Sequence, residues 1–194
     1  MQVLFLISLF LLTSFSSHAA ESNHAAPRRN WVELSVGAAR SLSGLEDGGK
    51  HTQLSHQDSL SGRALVVVLP WFSVGAEGTW FEKEKDIPFV SGYKERRSGI
   101  VGKFTLTPDT QPKVYLLTGA GKTKREFTYT FALTETAKTN YFLAAIGLEA
   151  SIWKGIFLAA EGYGVYNAHT HVSRFFRQKH RFEPGLSVRA GIRF

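Results

Sequence analysis

The residues best suited to chemistry lie in the segment His169-Thr-His171-Val-Ser173 and at Glu183, ten residues beyond the serine. Serine, histidine and a carboxylate are the side-chain types that nucleophilic catalysis combines. The alternative is a solvated basic loop, because residues 174–181 contain three arginines, one lysine and one histidine. Both interpretations depend on the elements that would hold these side chains, so the rest of the sequence has to decide between them.

Metal chemistry is a weaker prediction for the same region. His169, His171 and His180 are the nearby ligand types, but no Asp clusters with them and the chain has no Cys. Two histidines at i and i+2 on a strand are common without a metal, and zinc sites usually need more ligands than these. We therefore predict no metal site and no cofactor. The missing cysteines also exclude a disulfide scaffold and a cysteine nucleophile.

The beginning of the chain predicts export. Residues 3–15 form an apolar run that is shorter than the roughly 20 residues of a membrane-spanning helix. Ser17 and Ala19 fit the small-residue pattern for signal-peptidase cleavage. We predict a signal peptide over residues 1–19 and a flexible periplasmic leader over residues 20–30. The formal charge of +7 could indicate nucleic acid, but an exported chain rarely meets it, so we predict no nucleic-acid partner.

The last nine residues, Leu186–Phe194, alternate between apolar and polar side chains. A strand turns successive side chains to opposite faces, so this segment has one apolar face and one polar, partly charged face. In a soluble sheet the apolar face would meet a core. In a membrane barrel it would meet lipid, and the polar face would meet the lumen. The pattern alone leaves both environments open.

Loop lengths favour the barrel. Eight segments have strand character, near residues 32–39, 62–69, 72–81, 96–106, 113–124, 139–153, 156–166 and 181–194. The connections alternate between long and short, at 43–60, 70–71, 82–94, 107–112, 125–138, 154–155 and 167–180. Outer-membrane barrels have short periplasmic turns and longer external loops. The sequence therefore predicts an all-β protein, an eight-stranded antiparallel up-and-down transmembrane barrel over residues 31–194, with periplasmic termini.

Aromatic residues mark both ends of the predicted strands. The end with the short turns has Trp31, Trp71, Trp153 and Phe194. The other end has Trp80, Tyr141, Phe142, Tyr166 and Phe182. Two aromatic girdles around an apolar band are typical of proteins that cross a bilayer. Aromatic residues also end strands in soluble proteins, so this pattern supports the barrel without deciding it.

The signal peptide, the alternating loops and the aromatic last strand together resemble the small eight-stranded outer-membrane barrels of the OmpA/OmpX type. The resemblance covers residues 31–194 and concerns architecture. In that family the terminal Phe and the alternate apolar residues before it form the signal for the outer-membrane assembly machinery. The resemblance implies this role for Val188, Ala190, Ile192 and Phe194. It also implies an outer-membrane location.

The barrel model turns charged residues inward. If Trp80, Leu158 and Phe194 face lipid, the alternation sends eight charged side chains into the lumen: Glu33, Glu77, Lys103, Glu149, Glu161, Glu183, Arg189 and Arg193. An eight-stranded barrel is only wide enough for its own side chains, so these charges have to pair. We predict a plugged polar lumen. A catalytic carboxylate pair, a proton path and a small-solute pore are the alternatives.

The histidine–serine segment is similar to the His-x-Ser…Glu arrangement of the outer-membrane lipid A deacylases, which are also small barrels. That resemblance implies an ester hydrolase in which Ser173 attacks, His171 is the base and Glu183 orients the histidine. Val172 and Arg174 depart from the surroundings of that motif. We treat the deacylase as the alternative to a non-catalytic barrel.

Two external segments are candidates for interaction. The basic loop could pair with lipopolysaccharide phosphates through Arg174, Arg177, Lys179 and Arg181. The region 125–138 alternates like a strand pair that extends beyond the membrane, and a protruding strand edge can recruit an extracellular partner. The sequence therefore predicts an integral outer-membrane protein with a structural or surface-interaction role. Its expected partners are outer-membrane lipid, lipopolysaccharide and the assembly machinery.

Overall fold

The structure of the chain is a computed structural model. It describes residues 31–47, 51–83, 90–131, 133–169, 176–178 and 181–194. The predicted signal peptide and leader lie outside the described residues, so both stay predictions. Within its described part the chain has no helix that is long and apolar enough to cross a membrane.

The strands form one antiparallel sheet that closes on itself. The described strands are β1 Val32–Asp47, β2 His51–Leu69, β3 Phe72–Lys83, β4 Val90–Thr105, β5 Lys113–Tyr129, β6 Thr134–Trp153, β7 Ile156–Asn167, β8 Phe176–Gln178 and β9 Phe182–Arg193. Each strand from β1 to β6 pairs with the next along the chain, and β9 pairs with both β7 and β1. The strands β1 to β7 and β9 are the eight strands of the barrel, while the short β8 pairs with the far end of β1.

Closure joins the first strand to the last. The register between β1 and β9 runs from Glu33 opposite Arg193 to Ser41 opposite Gly185. Beyond the strand end, the Phe194 carbonyl accepts hydrogen bonds from the backbone N–H groups of Trp31 and Val32, at 3.0 and 3.1 Å. The ladder of the barrel is therefore continuous at this seam, and the predicted eight-stranded up-and-down barrel is confirmed.

The tightest connection is the turn between β6 and β7. Gly155 has a φ of +80°, which L-residues with a side chain rarely adopt. A Cβ at this position would lie 2.5 Å from the Arg193 carbonyl oxygen. The Gly155 carbonyl in turn accepts a hydrogen bond from the Arg193 N–H at 2.7 Å. Glycine here lets the turn pack against the end of β9.

Three of the predicted long loops are shorter than expected. Strand pairing continues to Asp47 opposite His51, to Lys83 opposite Tyr93 and to Thr128 opposite Thr134. The predicted loops near 43–60 and 82–94 are therefore largely strand, and this part of the prediction was wrong. The Ser, His and charged residues of these two segments are typical of loops. Strands whose side chains face water contain the same residue types. The strand pairing that was predicted to continue into region 125–138 is confirmed as far as Thr128 opposite Thr134.

The two faces of the barrel differ in polarity. Alternate side chains on the outside are exposed and mostly apolar, and those inside are buried and include many charged groups. The aromatic residues at the ends are exposed as predicted, namely Trp31, Trp71, Trp153 and Phe194 at one end and Trp80, Phe142, Tyr166 and Phe182 at the other. Tyr141 is the exception, because it is buried inside. It precedes Phe142 in β6, so the two side chains cannot both face outward.

One glycine makes room for a ring inside the barrel. Tyr115 and Gly147 are opposite each other on β5 and β6, and a Cβ at Gly147 would lie 2.3 Å from the Tyr115 ring. We expect Gly147→Ala to displace this ring and to lower the free energy of unfolding by about 1–3 kcal/mol. Urea titration of the folded protein in lipid vesicles would measure the loss.

Gly62→Ala is the matched control. A Cβ at Gly62 has its nearest contact at 3.7 Å, with the Trp80 ring on the outer face. This variant should unfold at nearly the wild-type urea concentration. Equal destabilisation by the two substitutions would contradict the close-packing explanation.

Candidate functional site

The interior of the barrel is built around charged side chains that pair in three groups. Twelve inward-facing charged side chains of the described residues form ion pairs of 4.0 Å or less with one another. They sort by height into three quartets of two carboxylates and two cations. The basal quartet is Glu33, Lys103, Glu149 and Arg193; the middle quartet is Arg63, Glu77, Glu161 and Arg189; the upper quartet is Glu95, Arg97, Arg125 and Glu183.

The basal quartet lies at the end of the barrel with the short turns. Lys103 Nζ lies 3.0 Å from Glu33 Oε1 and 2.6 Å from Glu149 Oε2. Arg193 contacts the same two carboxylates, with Nη2 2.9 Å from Glu33 Oε2. The Arg193 guanidinium also lies 4.5 Å from the centre of the Phe157 ring. Each cation bridges both carboxylates, so no charge in this group is buried without an opposite charge.

The middle quartet is less evenly bonded. Arg63 donates three hydrogen bonds, from Nε to Glu77 at 2.6 Å and from Nη1 and Nη2 to Glu161 at 2.5 and 3.1 Å. Arg189 lies 3.9 Å from Glu77 and 3.8 Å from Glu161. Its Nη1 donates to Ser61 Oγ at 3.0 Å, while Nε and Nη2 have no hydrogen-bond partner within the protein. Arg189 is thus the least satisfied cation of the three quartets.

A small cavity adjoins the middle and upper quartets. It has a volume of about 40 Å³, and Arg63, Glu77, Arg97 and Arg189 are among the residues that line it. A water molecule needs roughly 10–15 Å³ of such volume and a few polar partners. The cavity can therefore hold a few water molecules next to Arg189, which would supply the acceptors that its guanidinium lacks.

The upper quartet contains the carboxylate of the predicted catalytic set. Glu183 contacts Arg97 through one oxygen and Arg125 through the other, the latter at 3.4 Å. Glu95 accepts from Arg97 Nε at 2.6 Å, from Arg125 Nε at 2.9 Å and from the Tyr93 hydroxyl at 2.5 Å. Both carboxylates are therefore held between two guanidinium groups.

An aromatic cluster lies above the upper quartet, toward the far end of the barrel. Its members are Phe81, Val90, Tyr93, Phe127 and Tyr129, and each is at most 8% exposed. The ring centres of Phe81 and Tyr93 are 5.5 Å apart, and those of Tyr93 and Phe127 are 4.9 Å apart. Inside the barrel, the charged region thus ends in a buried apolar one.

The eight charged residues that the sequence predicts for the lumen all face inward and all belong to the quartets: Glu33, Glu77, Lys103, Glu149, Glu161, Glu183, Arg189 and Arg193. Four members were missed, namely Arg63, Glu95, Arg97 and Arg125. The face of Arg63 was undecided because its strand is apolar at both alternations. Arg97 lies within the predicted strand 96–106 and shares the alternation of Lys103, so the period of two already placed it inward. Glu95 shares that alternation too, but it lies one residue before the predicted start of the strand.

The other predicted site residues have different outcomes. His171, Ser173, Arg174 and Lys179 lie outside the described residues, so the deacylase and the basic loop stay predictions. Arg177 belongs to β8, whose side chains are not described. Arg181 is exposed and donates to the Tyr166 hydroxyl at 3.2 Å.

The residues of the predicted assembly signal share one face of β9. Val188, Ala190, Ile192 and Phe194 are all exposed on the outside of the barrel. They form a continuous apolar row beside the closure seam. Their recognition by an assembly machinery stays a prediction.

Two arginines of the middle quartet allow a matched test. We expect Arg63→Met to lower the free energy of unfolding by about 3–5 kcal/mol, because it leaves two buried carboxylates without their main partner. Arg189→Met should cost much less, since Arg189 has longer ion pairs and unbonded nitrogens. Urea unfolding in vesicles, followed by tryptophan fluorescence, measures both. Equal costs would contradict the unequal roles assigned to these arginines.

Solved structures of small outer-membrane barrels are similar to this fold. Neisserial surface protein A (NspA) has a TM-score of 0.64 and 13% identity, and the match covers 84% of this chain and 97% of that one. Ail, the attachment invasion locus protein of Yersinia pestis, has a TM-score of 0.55 and 14% identity, with coverages of 85% and 99%. No protein-family model and no curated protein sequence matches the chain. The chain has the fold of the small eight-stranded outer-membrane barrels.

Proposed function

We propose that the protein is an integral outer-membrane barrel with a closed lumen, and that it acts through surface interactions at its external end. The observation that carries this proposal is the reversed polarity of the barrel, with apolar side chains outside and charged quartets inside. A soluble protein would expose the charges and bury the apolar side chains. In a bilayer the arrangement is the favourable one.

The height of the apolar belt supports a membrane span. On β6 the outward side chains are apolar from Ile152 to Phe142, a stretch of 11 residues. A tilted transmembrane strand needs about 9–11 residues. Trp153 and Phe142, both exposed, stand at the two ends of this stretch, at the depths where aromatic residues favour the bilayer interface. Outer-membrane barrels carry their short turns on the periplasmic side, and with that orientation both termini of this barrel are periplasmic.

The contents of the lumen support a closed barrel over a small-solute pore. The quartets fill the interior at three heights, and the cavity next to them is only about 40 Å³. The aromatic cluster adds a fourth, apolar layer toward the external end. An ion that entered would have to displace paired charges at each height, which costs several kcal/mol per buried group.

The hairpin of β5 and β6 supports a role at the surface. It extends beyond the belt to Tyr129 and Thr134. At its tip the side chains of Phe131 and Leu133 are 59% and 49% exposed. The Phe131 ring stacks on Tyr129 with centres 5.4 Å apart. Apolar side chains held at the end of a projecting hairpin favour contact with a partner. Ail, whose fold is similar, is named for attachment and invasion.

Membrane insertion can be tested on the outer-membrane fraction of a Gram-negative host. We expect a compact species on gels of unheated samples and an expanded one after boiling, because the closed barrel resists detergent at room temperature. Purified protein in planar bilayers should show no large stable conductance steps. Absence of the compact species would contradict the membrane barrel, and regular large steps would contradict the closed lumen.

The hairpin tip can be tested without touching the barrel. We expect Phe131→Ser with Leu133→Ser to reduce attachment of expressing cells to a host surface, since both side chains are exposed at the tip. The matched control is Phe142→Ser, which removes an exposed ring from the belt. Cells with the control should attach normally as long as the compact species forms. Normal attachment by the tip variant would contradict the proposed role of the hairpin.

A further inference from the structure

A group of cations lies on the outer wall of β4, β5 and β6. Its members, here called the basic patch, are Lys94, Arg96, Lys122, Lys124 and Lys138, and all five are exposed. They share the outward alternation of the apolar belt on the same strands. The patch is distinct from the basic loop predicted at residues 174–181, because β7 separates β6 from β9 in the sheet.

Strand register places like charges side by side within this patch. Arg96 is opposite Lys124, and Lys124 is opposite Lys138, so one row across three strands carries three positive charges. Like charges directly opposite each other destabilise a sheet. Glu126 pairs with Lys124 and is opposite Lys94 in register, and Glu82 on β3 is opposite Lys94 from the other side. Two carboxylates cannot balance five cations, so the patch keeps a net positive charge that an anion would stabilise.

The patch begins where the apolar belt ends. On β5 the outward residue two positions below Lys122 is Ala120, and on β6 the outward residue four positions below Lys138 is Phe142. If the belt is embedded in the bilayer, the cations lie at the depth of the lipid headgroups of the outer leaflet. Lipid phosphates at that depth form charge-assisted hydrogen bonds with Arg and Lys.

We propose that the basic patch is a binding site for the phosphate groups of an anionic lipid in the outer leaflet. A lipid fits better than a soluble anion because the apolar wall directly below the patch can pack against its acyl chains. This inference rests on the proposed membrane insertion. It assigns to one side of the barrel a lipid contact for which the row of three adjacent cations is the recognition element.

The test compares charge-removing and charge-keeping variants in defined bilayers. The first variant combines Arg96→Gln, Lys124→Gln and Lys138→Gln. The control combines Arg96→Lys, Lys124→Arg and Lys138→Arg, which changes the same positions and keeps the charge. Both are folded into phosphatidylcholine nanodiscs with or without lipid A, a phosphorylated glycolipid. The temperature at which the compact species is lost reports stability, and titration with lipid A reports affinity.

The proposal predicts that the difference in stability between the Gln variant and the wild type changes sign when lipid A is added. In phosphatidylcholine alone the Gln variant should be at least as stable as the wild type, because the repulsion within the row is removed. Lipid A should raise the transition temperature of the wild type and of the control. The Gln variant should show little rise and bind lipid A about tenfold more weakly or worse. Lipid A from which the phosphates have been removed should stabilise none of the three proteins.

Four results would overturn the proposal. Equal stabilisation of the Gln variant and the wild type by lipid A would show that the row is not the phosphate site. Equal stabilisation of the wild type by inositol hexakisphosphate would identify a site for soluble polyanions instead of lipid. Failure of the wild type to form the compact species in any nanodisc would remove both the membrane barrel and this site. A compact wild type without a lipid A effect would remove the site alone.

Discussion

Closure of the sheet between β1 and β9 is the interaction on which the rest of the structure depends. Phe194 is bonded in both directions at this seam, since its carbonyl accepts from Trp31 and Val32 and its N–H donates to the Val32 carbonyl. Closure pairs the backbone groups that an open sheet would leave at its edges. With eight strands it also sets a lumen that side chains alone can fill. Every inward residue must therefore find its partner within the barrel.

The quartets are one solution to that requirement. A buried charge with a single partner would lose more in desolvation than it gains, whereas each carboxylate here lies between two cations. Aromatic side chains connect the heights. Tyr115 donates to Glu161 of the middle quartet at 2.7 Å, and Lys103 of the basal quartet lies 4.6 Å from its ring centre. Neutrality at each height means that adjacent quartets have no net charge to repel one another.

Much of the fold and of the quartets could be predicted from the sequence. The polarity of the side chains along a strand alternates with a period of two wherever the two faces of the strand meet different environments. That period, with the loop lengths, predicted the barrel and eight of the twelve quartet residues. Three of the four quartet residues that it missed lie where this period was absent or cut short. Arg63 lies in a strand that is apolar on both faces, and Arg125 lies where β5 was expected to become a loop. Pairing of Arg63 with Glu77 joins adjacent strands, but its pairing with Glu161 crosses the lumen, which no local pattern encodes.

On β5 the side chains of both faces change in polarity between the lower and the upper part of the strand. On β5 the inward residues are Tyr115 and Leu117 beside charged quartets in the lower part, and Phe127 in an apolar cluster in the upper part. The outward residues change from Leu116 to Lys122 and Lys124. At the height of Lys122 and Lys124 the interior still holds the upper quartet with Arg125, and only above that quartet does the interior become apolar while polar side chains remain outside. The outward change is the one expected where a barrel wall leaves a bilayer. Under the proposed insertion its height marks the membrane boundary, and the basic patch and the hairpin tip lie at or beyond it.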